Sequence, residues 1–192
     1  LLTLLLRLAE GERREPALAM VDRTLECMDR GGIHDHLGGG FHRYAVDPAW
    51  RVPHFEKMLY TQALLVRVMV AAAKADGQGP WPDRIRRTLA FVERELALPG
   101  GGYRAALSAD SLSPEAPGGA VEGAYYTWTW EQFTRALGDG ERRAVAAARF
   151  GVVPEGNSGD SAELGRANVL YQARSPAAVA AALGLERATV AR

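Results

Sequence analysis

Apolar residues recur at helical spacing through the first half of the chain. Leu18, Val21, Leu25 and Met28 form one stripe behind Pro16, a residue suited to a first helical turn, and the run stops at Gly31-Gly32. This predicts a helix over 16–30, and residues 1–9 before it read as the tail of a buried helix. Next comes a predicted helix over 53–74 that is apolar nearly all round, from Phe55, Met58 and Leu59 to Val68, Met69 and Val70. A helix with so little polar surface is expected to be surrounded by others. The segment over 82–97 differs, with Ile85, Leu89, Val92 and Leu96 on one stripe and Arg84, Arg86, Arg87, Glu93 and Arg94 around the rest. A buried helix followed by an amphipathic one predicts an inner and an outer layer.

Beyond Asp110 the pattern shortens. "SLSPEAPGGAVEG" reads as a loop, "AYYTWT" as a short strand, and "TWEQF" as a capping box that opens a helix. A helix over 141–149, a second long loop, a strand over 168–172 and one or two Ala-rich helices complete the chain. There is also a faint repeat: Gly39-Gly40-Phe41 and Gly101-Gly102-Tyr103 each follow a helical segment and lead into a polar loop. Helical toroids and solenoids place elaborated loops at one end in this way. The expected fold class is all-α, with short β-hairpins in the loops.

Composition narrows the function classes. Apolar residues make up 47% and charged residues 24% of the 192, ordinary for a domain with its own core. Lys plus Arg and Asp plus Glu stand at 23 each, so no net field draws in nucleic acid or anionic membrane. The single cysteine, Cys27, excludes an internal disulfide and a cysteine-based zinc finger and reads as a small core residue. "LLTLLLR" lacks the basic start and cleavage site of a signal peptide, and no apolar run approaches the roughly 20 residues of a membrane span. A cytoplasmic location is expected. The chain starts without Met and inside a helical pattern, which suggests a fragment.

The chemistry concentrates in "GGIHDHLGGGFHRYAVDPAWRVPHFEKMLY", which holds all four histidines, His34, His36, His42 and His54. A short irregular hairpin is expected there around Asp47-Pro48. Metal binding through these imidazoles with Asp35 or Glu56 is one reading, although the spacing fits no familiar zinc pattern. Sugar chemistry is the second. Phe41, Tyr44, Trp50 and Phe55 offer faces for stacking, and Arg43, Arg51, Asp35 and Asp47 offer partners for hydroxyls. Hydrolysis needs two carboxyl groups, ~5–5.5 Å apart for retention or ~6.5–9.5 Å for inversion, and Asp35, Glu56 and Asp110 are the candidates. Epimerisation needs an acid and a base on opposite faces, for which His42 and His54 could serve. The plain alternative is structural: Glu56 in a first helical turn, Gly38-Gly39-Gly40 in a tight turn, Trp50 and Phe55 capping the core.

The stretch "DHLGGGFHRYAVD-AW-VPHFEKMLY-QA" resembles the signature of the spermatogenesis-associated protein 20 family, also called thioredoxin-domain-containing proteins. "GGGYRAALSADS", "YYTWTWEQF" and "EGN" with "ANVLYQA" resemble further segments of it. The resemblance implies a thioredoxin-like N-terminal domain followed by an (α/α)6 toroid of the six-hairpin glycosidase kind. Residues 1–192 would then be a partial toroid, lacking the thioredoxin-like domain and the C-terminal half. Such toroids include hydrolases of uronyl sugars and N-acylglucosamine epimerases, with the pocket in the loops at one end. Catalytic candidates are thus Asp35, His42, His54, Glu56 and Asp110, and substrate-binding candidates His36, Phe41, Arg43, Tyr44, Trp50 and Lys57, with no metal or cofactor expected. Three departures stand out: Ser108 replaces the first Asp of the family's D-A-D-S, Thr61 stands where "YDQ" is usual, and His34 replaces an aromatic. A carbohydrate-active domain, hydrolase or isomerase, is the leading expectation. The alternative is a non-catalytic helical scaffold working with the attached thioredoxin-like domain. A toroid cut midway is also expected to expose inner-helix flanks and dissolve poorly.

Overall fold

The apolar stripes of the first half converge on one core. In the computed structural model, which describes residues 1–9, 11–76, 79–113, 116–159 and 164–190, α1 (Leu2–Leu8), α2 (Arg14–Arg30), α3 (Leu59–Asp76) and α4 (Trp81–Phe91) pack each against the next. Val21, Leu25 and Met28 of α2 meet Leu65, Val68, Met69 and Ala72 of α3 and Trp81 of α4, and the connecting loop adds Ile33 and Phe41. Truncating one of these side chains, such as Met69, to Ala is worth about 2–5 kcal/mol. A 3-10 turn joins α1 to α2, and α4 runs on into a wider π-helical turn at Val92–Leu96.

The second half forms a smaller helical group: α5 (Trp130–Leu137), α6 (Glu141–Phe150), α7 (Pro176–Leu183) and α8 (Arg187–Val190). Phe133, Val152 and Leu170 are its core. The capping box is present: the Thr129 hydroxyl accepts from the Gln132 amide, and the Gln132 side chain accepts from the Thr129 amide. Between the groups lie four two-stranded antiparallel ladders. They pair β1 (Tyr44–Ala45) with β2 (Pro53–His54), β3 (Lys57–Met58) with β4 (Ala106–Leu107), β5 (Asp110–Ser113) with β6 (Ala116–Glu122), and β7 (Thr127–Trp128) with β8 (Asn168–Val169). The chain is about half helical with small strands in the connections.

Several sequence expectations need correction. The helix expected over 53–74 starts at Leu59, and the residues before it are extended. Pro53, Phe55 and Lys57 are buried while His54, Glu56 and Met58 are half-buried, the alternation of a strand. Glu56 therefore occupies no helical first turn. Helix α3 is not enclosed among the described residues, since Tyr60 and Leu64 are about half exposed. Nor is α1 a buried helix, because none of its residues is buried. Of the stripe expected over 82–97, Ile85, Val92 and Leu96 pack inward as expected but Leu89 is exposed, and Trp81, Thr88 and Phe91 complete the inner face. Two of its arginines turn the helix this way: Arg84 pairs with Asp29 at the end of α2, and Arg87 donates to the His36 carbonyl (3.0 Å) in the loop that follows.

The "AYYTWT" strand is only Thr127–Trp128, with Tyr125 and Tyr126 in the turn before it, and the 168–172 strand is only Asn168–Val169. The region read as a Pro/Gly-rich loop is largely the β5–β6 ladder; Pro114 and Glu115 lie outside the described residues, as do 160–163 of the second loop. Two asparagines bind that second loop to the ladders. Asn168 accepts from Val153 N (2.9 Å) and donates to Trp128 O, while Asn157 accepts from Val169 N (2.8 Å) and donates to Gly151 O.

The repeat has a structural counterpart. Phe41 pairs with His34, and Tyr103 with Ala97, in isolated antiparallel bridges, and the two glycines before each aromatic have positive φ. At Gly40 (φ 75°) a Cβ would also sit 2.6 Å from the Phe91 ring, so a side chain is barred by both conformation and space.

Gln62 fastens this loop to α3. Its amide accepts from Phe41 N (2.8 Å) and donates to Phe41 O (2.6 Å), both buried. Gln62→Leu leaves two buried backbone groups unpaired and should cost about 3 kcal/mol in urea unfolding. Gln62→Glu, which can accept but not donate while ionised, should cost at least as much at pH 7. Unchanged unfolding midpoints for both would show that the clamp is dispensable.

Candidate functional site

The loop over 31–43 is held by close backbone approach at its start. A Cβ on Gly31 would lie 2.2 Å from Trp50 O, and one on Gly32 would lie 1.9 Å from Arg51 O, so the 47–51 turn can cross here only over glycine. Asp47 organises that turn by accepting from the amides of Ala49, Arg51 and Val52, which commits its carboxylate to the backbone. Asp35 does the same for the glycine turn. Its Oδ1 accepts from Leu37 N (3.0 Å) and Gly38 N (2.8 Å), and its Oδ2 accepts from Lys57 Nζ (2.6 Å). Lys57, 1% exposed, also donates to Gly39 O (2.9 Å) and lies 4.4 Å from the Phe91 ring centroid and 4.8 Å from that of Tyr126. Burial would raise the Asp35 pKa, but the Lys57 charge and the hydrogen bonds outweigh it and hold the carboxyl below its usual range. Burial lowers Lys57 despite Asp35.

The imidazoles divide by role. His34 is buried and stacks on Phe41 (centroids 4.8 Å apart, planes 20°), the part an aromatic ring would play. Its Nδ1 faces two acceptors of Asp29, the carbonyl (3.1 Å) and Oδ1 (3.2 Å). Burial raises Asp29, but hydrogen bonds from His34 and Arg84 bring it down to about 2. His36 Nε2 meets Gly31 O (3.0 Å) and His42 Nδ1 meets Phe55 O (3.0 Å); a carbonyl only accepts, so each nitrogen carries the proton. Burial first, then nearby positive charge, pulls both down to about 3, so both are neutral at pH 7. His42 Nε2 is left with a lone pair and no hydrogen-bond partner among the described residues.

A second cluster lies on the other side of the 53–58 strand. His54 Nδ1 meets Glu122 Oε1 (2.7 Å), and its Nε2 is 3.3 Å from Glu56 Oε2, which also accepts from Arg43 (2.8 Å). Tyr44 stacks on His54, and Arg43 reaches Tyr60 Oη. Asp110 is exposed and is the register partner of Glu122, which sets both carboxylates on one face of that ladder. The strand thus separates the candidates: Asp35, His42 and Lys57 within, and His54, Glu56, Arg43, Tyr44 and Asp110 without.

A cavity of about 310 Å³ opens beside the inner set, walled by His34, Asp35, His36, His42 and Phe55 on one side and Tyr125, Tyr126 and Trp128 on the other. A neighbouring hollow of about 300 Å³ shares Asp35, Gly38, Tyr125 and Tyr126 with it and adds Lys57, Arg94 and Ser108. Phe41 and Trp50 are elsewhere, Phe41 inside the helical core and Trp50 packed against it. The aromatics that line the cavity are Phe55, Tyr125, Tyr126 and Trp128. Sequence reasoning passed over Asp29, Gln62, Glu122, Tyr125, Tyr126 and Trp128. A lone amide in an apolar helix could have flagged Gln62, and adjacent tyrosines after a glycine could have flagged Tyr125 and Tyr126. Nothing in the sequence marks Glu122. Among the described residues no three His, Cys, Asp or Glu side chains are grouped to hold a metal ion, and no helix is long and apolar enough to cross a membrane.

The neutral histidines set the acid response. A histidine whose folded pKa is depressed contributes stability that is full above its unfolded value near 6.5 and is lost as pH falls toward the folded value. Here the window runs from about 6.5 to about 3 for His36 and His42. Urea-derived stability should fall between pH 6 and 4 with a slope approaching about 2.7 kcal/mol per pH unit, two protons' worth. His36→Asn should halve that slope, and a flat profile would mean that neither imidazole is held neutral.

Comparison with known proteins returns no matching family model. Spermatogenesis-associated protein 20 of Mus musculus is 37% identical over a match covering 94% of this chain and 24% of the mouse protein. The Homo sapiens protein of that name is 42% identical over 68% of this chain and 16% of its own length. An uncharacterized Caenorhabditis elegans protein is 36% identical over 76% of this chain and 20% of its own. The chain therefore spans about a quarter or less of the length of these curated relatives. With those identities spread over most of its residues, the chain belongs to the spermatogenesis-associated protein 20 family.

Proposed function

We propose that this chain supplies the loop-bearing end of an (α/α)6 toroid and binds a sugar or sugar derivative in the cavity between the histidine-rich loop and the 125–128 turn. The carrying observation is the lining itself. One side is lined by the aromatics Tyr125, Tyr126 and Trp128, and the other by His36 and His42, both neutral at pH 7, around about 310 Å³. That volume is at the lower end of small-molecule sites and suits a ring with apolar faces and a hydroxyl edge. In the whole protein a thioredoxin-like domain would precede this unit.

The geometry favours binding over turnover. Asp35 is ionised and engaged at both oxygens, so it is poorly placed to give up a proton as a glycosidase acid. His42, pulled down to about 3, is a weak base at neutral pH, and its partner in an epimerase scheme, His54, lies across the strand. Hydrolysis or isomerisation by this unit would have to draw on the outer His54–Glu122–Glu56 cluster. A helical scaffold without catalysis remains the second reading, favoured by how fully Asp35 and Lys57 satisfy each other.

Ligand-observed NMR of the chain with neutral sugars, uronates and N-acyl amino sugars tests this. Tyr125 is 77% exposed, so Tyr125→Ala should leave the fold intact and weaken binding about tenfold, near 1.4 kcal/mol. Absence of binding to every class by folded protein would leave the scaffold reading.

A further inference from the structure

On the opposite side of the 31–32 crossing lies a third hollow, of about 290 Å³, that the sugar reading does not use. Arg23, Glu26, Cys27 and Arg30 of α2 form one wall, and Arg51 and Tyr171 form the other. Three guanidinium groups face one carboxylate, and none of the three arginines is in an ion pair among the described residues. Arg84, Arg43, Arg94 and Arg143 do have such partners, in Asp29, Glu56, Glu95 and Asp139. The α2 carbonyls do not absorb these charges either, since Cys27 O accepts from Gly31 N, and Asp29 O and Arg30 O accept from Gln172.

The backbone holds this arrangement at some cost. Trp50 has φ 61°, a conformation that bulky residues rarely adopt, and it directly precedes Arg51. The Asp47 carboxylate secures the turn through the Arg51 and Val52 amides, and the Arg51 guanidinium is set 5.0 Å over the Tyr171 ring. Behind the hollow Arg149 is bound to Gln172 Oε1 (2.7 Å); burial, then the nearby charges of Arg30 and Arg84, lowers its pKa, with Asp29 acting against them.

We propose that this hollow is an anion site for a phosphate dianion, free or carried on a small molecule, gripped by Arg23, Arg30 and Arg51. Two uncompensated positive charges match the ≈ −1.5 to −2 charge of a phosphomonoester at pH 7, and guanidinium forks match its oxygens. Cys27, the single cysteine of the chain, sits in the wall as a built-in reporter.

The test is titration of the full chain with potassium phosphate, glycerol 2-phosphate and potassium acetate at constant ionic strength, followed by calorimetry and by the rate of Cys27 alkylation with iodoacetamide. Phosphate and the phosphomonoester should saturate and slow alkylation, and acetate should do neither. A stronger response to inorganic phosphate points to the free ion, and a stronger response to glycerol 2-phosphate points to an ester; both support the site. The R30Q/R51Q double variant should weaken binding by at least about tenfold and remove the protection of Cys27, whereas Arg86→Gln, outside the hollow, should change neither. Glu26→Gln, at an exposed position, should tighten binding and gives an independent reading if the double variant folds poorly. Absence of saturation, Cys27 unprotected at saturation, or Arg30 and Arg51 variants that bind as the parent does would overturn the assignment.

Discussion

The ion pair between Lys57 and Asp35 is the constraint on which the neighbouring structure depends. Removing two charges from water costs several kcal/mol each, so such a pair persists only with close geometry and every remaining valence met. Here the lysine lies between two aromatic rings and also binds a glycine-loop carbonyl, and the carboxylate accepts two turn amides. The pair therefore joins four parts of the chain at one point: the glycine turn, the strand before α3, the end of α4 and the 125–126 turn. The alternating burial along 53–58 follows from it. Lys57 must point inward to reach Asp35, so Phe55 points inward too, and His54 and Glu56 turn to the other face.

The same arithmetic explains what could be read in the sequence. Helices α2 and α5 were legible because each is decided locally, by an apolar stripe with a Pro in the first turn or by a capping box. Residues 53–58 misled because "PHFEKMLY" continues smoothly into an apolar helical pattern. What keeps it extended is long-range, a bond from Phe55 N to Glu122 and the pairing of Lys57 with Leu107. The exposure of Leu89 on α4 has a related reason. Hydropathy placed Leu89 inward with Ile85, Val92 and Leu96, whereas Arg84 and Arg87 turn the helix toward partners far away in sequence, Asp29 on α2 and the His36 carbonyl.

For the candidate site, the sequence located the chemistry but not its division. The four histidines do gather, yet two donate to backbone carbonyls, one stacks on Phe41 and one lies between glutamates. Residue type could not separate these roles, because an imidazole is competent for all of them. The aromatic wall was missed for the opposite reason: adjacent Tyr125 and Tyr126 score as strand formers, and only the turn at Gly123 puts both at the cavity.

The strand over 53–58 has one more consequence. Because its side chains alternate between two chemically distinct compartments, its length is quantised. Adding or deleting one residue between Pro53 and Met58 would carry Lys57 to the solvent side and bring His54 or Glu56 against Phe91 and Tyr126. Length changes here are tolerable only in steps of two, so this short stretch acts as a parity rule that keeps inner and outer chemistries from exchanging places.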